Sequence, residues 1–90
     1  MEASGMSRKR SRLEIYLEVL ETIMDGYNKP TNIMYRCNLS WIALKEILDS
    51  LVEKGLVTIA ERNKRKLYLI TEKGRSIVNR LEETYDLLSM

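Results

Sequence analysis

The residues of this chain best suited to chemistry are its cations, and they are grouped. Arg8, Lys9, Arg10 and Arg12 crowd one stretch, and Arg62, Lys64, Arg65 and Lys66 fall within five consecutive positions. Cations clustered in this way suit a polyanion, because each can displace a counterion from a phosphate. Catalytic groups are scarce by comparison. There is no histidine, and Cys37 is the single cysteine. A zinc or iron site built from nitrogen and sulfur ligands is therefore not expected, nor a catalytic dyad that needs imidazole. The glycines at 5, 26, 55 and 74 stand alone, so no glycine-rich phosphate loop is present. The carboxylates are spread along helix faces, where solvated charge is the ordinary outcome. These patterns argue against an enzyme and imply no cofactor, no metal and no small-molecule substrate.

The elements that must position those cations centre on residues 30–57, PTNIMYRCNLSWIALKEILDSLVEKGLV. The pattern predicts a short helix from Thr31 to about Cys37, a turn at Asn38-Leu39-Ser40, and a longer helix from Ser40 to Lys54. Thr31 and Ser40 each offer a side-chain oxygen as an N-cap. Gly55 ends the second helix, where a positive φ costs glycine little. This is a helix-turn-helix pattern. Leu44, Ile47, Leu48, Leu51 and Val52 mark the buried face of its second helix, with Trp41 near the edge. The opposite face carries Ile42, Glu46, Asp49 and Glu53. Three carboxylates there would repel phosphates along the helix, so only the first turn, Ser40, Trp41, Ile42 and Lys45, is expected to approach a nucleic acid. Two short aliphatic runs follow, Leu56 to Ile59 and Leu67 to Ile70. They predict a hairpin whose tip, residues 61–66, is basic. Helix-turn-helix followed by a basic hairpin is a winged helix.

The flanking helices carry the remaining information. The first is expected from about Ser11 to Asp25. Leu13, Tyr16, Leu17, Leu20 and Met24 form one apolar stripe, and Ile15, Val19 and Ile23 form another. Surface helices of monomers usually bury one face, so the second stripe predicts a partner. The last helix, capped by Thr71 and running from Glu72 to about Leu88, spaces Val78, Leu81, Tyr85 and Leu88 as a short coiled-coil-like seam, widened by Ile77 and Leu87. Both features predict a homodimer. Apolar residues make up 44% of the 90 and charged residues 31%, with a net charge of +2. That composition fits one small globular domain. No apolar run reaches the length of a membrane span, and the chain lacks the apolar core of a secretory signal before Arg12, so a cytoplasmic protein is expected. Cys37, in an apolar setting, reads as buried packing. Abundant Lys, Arg and Glu without Gln lean toward a thermophile.

With these residues in view, the segments LEIYLEVLETIMDG, TNIMYRCNLSW, LVEKGLV and YLITEKG together resemble the small archaeal ten-kilodalton winged-helix DNA-binding proteins first found in Sulfolobus. The resemblance covers about residues 12–88. It implies a homodimer joined through antiparallel C-terminal helices, binding double-stranded DNA with little sequence preference in a chromatin-associated or regulatory role. It also implies that Trp41 holds the aromatic position of the helix-turn-helix, and that Arg62 through Lys66 form the wing tip.

The expectation is thus an α+β, mainly α, winged helix-turn-helix. A flexible basic arm would occupy residues 1–10, the DNA-binding domain 11–71, and a C-terminal dimerisation helix 72–90. DNA contacts are assigned to Arg8, Lys9, Arg10, Arg12, Arg36, Ser40, Trp41, Ile42, Lys45, Arg62, Lys64, Arg65 and Lys66. The dimer interface is assigned to Ile15, Val19, Ile77, Val78, Leu81, Tyr85 and Leu88. The partners are double-stranded DNA and a second copy of the chain, with the protein held at the nucleoid. The competing expectation, favoured by the acidic face of the second motif helix, is a protein-interaction module on the same scaffold.

Overall fold

The computed structural model describes residues 10–89. The chain runs α1 (Arg12–Met24), α2 (Pro30–Cys37), α3 (Trp41–Glu53), β1 (Val57–Arg62), β2 (Arg65–Ile70) and α4 (Glu72–Ser89). The two strands form an antiparallel hairpin. The fold is therefore the expected winged helix-turn-helix.

Local chemistry sets most of the element ends. Ser11 caps α1 through a reciprocal pair with Glu14: the Glu14 N–H donates to Ser11 Oγ at 3.1 Å, and the Ser11 N–H donates to Glu14 Oε1 at 2.9 Å. Ser40 caps α3 as expected, accepting from the Ala43 N–H at 3.2 Å. The end of α3 is a Schellman arrangement. The Leu56 N–H reaches Leu51 O at 2.9 Å, the Gly55 N–H reaches Val52 O at 3.0 Å, and Gly55 sits at φ +75°. Asn38, left-handed at φ 55°, turns the chain out of α2. The expected cap at Thr31 is not what forms. The helix starts one residue earlier, Pro30 takes the first helical position, and Lys29 is the N-cap without a side-chain bond. Proline has no N–H to satisfy and its φ is already helical, so the first turn needs less from a cap.

The hairpin also departs from expectation. The six residues 61–66 were expected as a loop, yet both strands continue almost to the tip. Only Asn63 and Lys64 turn, both at positive φ (53° and 64°). That geometry matches the twist of paired strands. Arg62 and Arg65 consequently lie directly opposite one another on the ladder, and Glu61 faces Lys66.

The core is made by α1, α2, α3, the hairpin and the start of α4, with Val19, Ile33, Leu44, Leu48, Leu51, Val57 and Val78 fully buried. Two expectations are corrected here. Val19, assigned to a dimer interface with the second stripe of α1, lies in this core, as does Ile23. Helix α1 packs against α2, α4 and β2 of its own chain, so most of both stripes is covered within one protomer, while Ile15 is partly buried and Leu13 stays exposed. Val78, assigned to the dimer seam, is likewise fully buried because the first turns of α4 sit on the core.

The junction of α4 with the motif is tight. The Gly74 N–H donates to Thr71 Oγ1 at 3.0 Å, which is the expected cap, while the Thr71 hydroxyl donates to Gly55 O at 2.7 Å. A Cβ on Gly74 would lie 2.2 Å from Leu56 O. Only glycine allows this approach of helix to backbone. Cys37 is buried beside Thr22, as expected of a packing residue, and loss of solvent pushes its thiol pKa up.

Candidate nucleic-acid interface

The exposed start of α3 is the natural first part of the site. The left-handed Asn38 and the Ser40 cap fix where this helix begins. Its first turn then presents Trp41, 47% exposed, and Ile42, 74% exposed. Trp41 lines a shallow groove with Pro30, Thr31 and Met34, at the beginning of α2. Lys45, one turn on, is engaged by Asp49: its Nζ lies 3.1 and 3.0 Å from the two carboxylate oxygens. That hydrogen bond, together with the charge of Asp49, raises the Lys45 pKa.

The second part is the wing. Arg62, Asn63, Arg65 and Leu67 face Asn28 and Lys29 across a cleft of about 530 Å³. Lys29 is a residue that sequence reasoning missed. In the chain it stands alone in a loop, and only a tertiary bond brings it here: the Tyr68 N–H donates to Asn28 O at 2.8 Å, docking the loop along β2. Three cations, Lys29, Arg62 and Arg65, thus border one cleft whose described lining contains no carboxylate. Like charges opposite one another on a ladder repel, so the Arg62–Arg65 pair gains from an anion between them. Residues 28–29 line this cleft and residues 30–31 line the Trp41 groove. The two parts therefore adjoin through consecutive residues at the start of α2. Lys64 projects at the tip, and Lys66 is exposed opposite Glu61.

The other assigned cations lie elsewhere. Arg8 and Lys9 fall outside the described residues. Arg10 forms an ion pair with Glu18 and donates to Cys37 O at 2.9 Å and Asn38 O at 3.5 Å. It thereby ties α1 to the end of α2, where a cation also meets the negative end of the helix dipole. Arg12 stacks over the Tyr16 ring at 5.5 Å and donates to its hydroxyl at 3.3 Å. It shares a groove with Glu46, Asp49 and Glu53, the acidic face of α3. Arg36 lies 4.1 Å from the centre of the Tyr27 ring, a close cation–π contact. The structure therefore brings together the wing, Lys29 and the first turn of α3, and it engages Arg10 and Arg12 with groups of the protein. Among the described residues no group of acidic, cysteine or histidine side chains could hold a metal ion. No helix among them is long and apolar enough to cross a membrane.

Comparison with known proteins agrees with this architecture. A family model described as winged helix-turn-helix matches residues 9–89. An uncharacterized protein of Methanocaldococcus jannaschii is 33% identical over 81 residues, covering 90% of this chain and 79% of that protein. A second uncharacterized protein of the same organism is 28% identical over 82 residues, but the matched region is only 37% of its length. Among solved structures, Sso10a-2, a DNA-binding protein from Sulfolobus solfataricus, superposes with a TM-score of 0.77 at 29% identity, over 89% of this chain and 83% of that one. The transcriptional regulator BldR of the same organism superposes with a TM-score of 0.75 at 22% identity, over 83% and 56%, a likeness of fold alone. With its family match spanning both parts of the site and its relatives among the archaea, the chain belongs to the winged helix-turn-helix family and, within it, to the small archaeal kind that Sso10a-2 represents.

Proposed function

We propose that this chain binds double-stranded DNA as a homodimeric regulator or chromatin-associated protein with modest sequence preference, acting at the nucleoid. The observation that carries the reading is the cleft bordered by Lys29, Arg62 and Arg65, next to the exposed first turn of α3. Phosphates seated there fix the protein on the duplex without reading sequence. The first turn of α3 then faces the major groove, as recognition helices do. The acidic side of α3 (Glu46, Asp49, Glu53) opposes deep insertion of the whole helix, which keeps the sequence preference modest. That Sso10a-2 is a DNA-binding protein supports the same reading.

Binding that depends on phosphate contacts falls with salt, with a slope in log K against log salt of about −0.9 per neutralised phosphate. The double change Arg62→Ala/Arg65→Ala removes two cations from each wing of the proposed dimer, and is expected to weaken binding to every duplex and to flatten that slope by about 3.6. Unchanged binding would remove the wing from the mechanism. The exposed acidic stripe of α3 favours a second reading, a scaffold for protein partners. A gel shift with random duplex at low salt separates the two, because an interaction module would not shift it.

A further inference from the structure

We propose that the first turn of α3 reads the 5-methyl groups of thymine, so that whatever sequence preference the chain has comes from apolar contact in the major groove. The inference rests on the DNA reading above and specifies what the recognition helix recognises.

It follows from which polar readers α3 has available. Guanine is read by Arg or Lys, adenine by Asn or Gln, and cytosine by Asp or Glu, while the thymine methyl is the one apolar feature of the major-groove edge. Helix α3 contains no Arg, Asn or Gln. The single lysine of α3, Lys45, directs its Nζ to both oxygens of Asp49, away from the start of the helix. The Ser40 hydroxyl accepts the Ala43 N–H as a cap, and its remaining O–H donor pairs with acceptors on more than one base and so discriminates little. Glu46, one turn beyond Ile42, is exposed beside the grooves that Arg12 lines, and as part of the acidic side it is repelled by the phosphates rather than drawn into the groove. Leu44 is fully buried. What the first turn offers is Ile42, exposed and aliphatic, with the indole of Trp41 beside it. Water contact with such a side chain is unfavourable, and a methyl group is the partner on a base edge that replaces that water without stranding a donor or acceptor. The cations at Lys29, Arg62 and Arg65 hold phosphates alongside and leave base discrimination to this turn.

The test uses the full chain and two duplexes of identical A·T-rich sequence, one with every thymine replaced by deoxyuridine. Pairing, backbone charge and minor-groove edges are the same, and only the methyl groups differ. Fluorescence anisotropy at one low salt concentration is expected to show roughly four- to fifteenfold weaker binding to the deoxyuridine duplex, as one or two lost methyl contacts imply. An Ile42→Ser variant, altered at an exposed position and checked for an unchanged melting temperature, should bind both duplexes equally, at about the strength of the wild type on deoxyuridine. Equal wild-type affinity for the two duplexes overturns the inference and leaves DNA binding standing. A thymine preference undiminished in Ile42→Ser also overturns it, because the effect would then lie in duplex shape. Failure to bind either duplex at low salt overturns the DNA reading, and this inference with it.

Discussion

Glu21 shows how a single side chain can carry the tertiary fold in its titration. On α1 it belongs to an acidic stripe with Glu14, Glu18 and Asp25 that looks solvated in the sequence. In the structure α4 lands on that stripe. Partial burial, a hydrogen bond shared with Glu82, and the charges of Glu82, Asp25 and Glu18 raise the Glu21 pKa from 4.5 to about 7. The folded protein therefore holds this proton in a range where the unfolded chain has released it. The contribution of this group to stability is fully present below pH 4.5, declines as pH rises from there, and is lost above about pH 7. Thermal melts at pH 5 and pH 8 are expected to show a lower melting temperature at the higher pH, and Glu21→Gln should shrink the gap by raising the value at pH 8. An unchanged gap would mean that Glu21 and Glu82 do not share a proton. Gly74 makes a complementary point. Its contact with Leu56 O joins segments far apart in the chain, so nothing near position 74 announces it. Gly74→Ala forces the start of α4 off the core, and we expect a loss of about 2–3 kcal/mol in a denaturant melt. By contrast the caps at Ser40 and Thr71 were legible in the sequence, because a cap depends on neighbours within three positions.

At the level of elements, the hairpin was recognised from its paired aliphatic runs, but its tip was not. Tight hairpins usually advertise themselves with Asn-Gly, and here the second turn residue is Lys64. A lysine at φ 64° is strained relative to glycine. Strain of this kind is retained where the side chain has a use, and a cation at the outermost point of the wing has one if the wing meets phosphate. Lys64→Gly is therefore expected to move two properties in opposite directions. Stability should rise by about 0.5–1 kcal/mol as the turn relaxes, while DNA affinity falls and the salt slope drops by about 1.8, one contact for each wing of the proposed dimer. A variant that gains stability with DNA binding untouched would show that Lys64 makes no phosphate contact. The two stripes of α1 were equally visible in the sequence, yet their meaning was not. Periodicity identifies a face that must be covered, whereas the cover comes from α2, α4 and β2 together, and their placement is a property of the whole fold.

For the whole molecule the open question is what meets the far end of α4. The radius of gyration is 13.8 Å, against about 12 Å for a compact chain of this length, and the extents of 42 × 27 × 20 Å describe a body with a projecting rod. Residues 82–89 are all exposed, including Tyr85, Leu87 and Leu88, the last 79% exposed. With Val19 and Val78 taken by the core, the apolar surface left for a partner copy is the half-buried Ile77 and Leu81, continued by Tyr85 and Leu88. That stripe points outward along the rod, and an uncovered stripe of this kind favours association. The proposed dimer makes α4 its seam and gives each complex two wings. The wild-type chain should then sediment at twice its own mass at micromolar concentration. Tyr85→Glu/Leu88→Glu, which alters exposed positions only, should sediment as a monomer with its helical circular dichroism retained. Removing the helix from residue 76 onward would be a poorer test, because it also takes Val78 out of the core. The monomeric variant should keep its wing and bind DNA with about half the wild-type salt slope, since one set of phosphate contacts remains. A wild-type chain that sediments as a monomer would leave each wing to act alone, and a double variant that stays dimeric would move the seam away from α4.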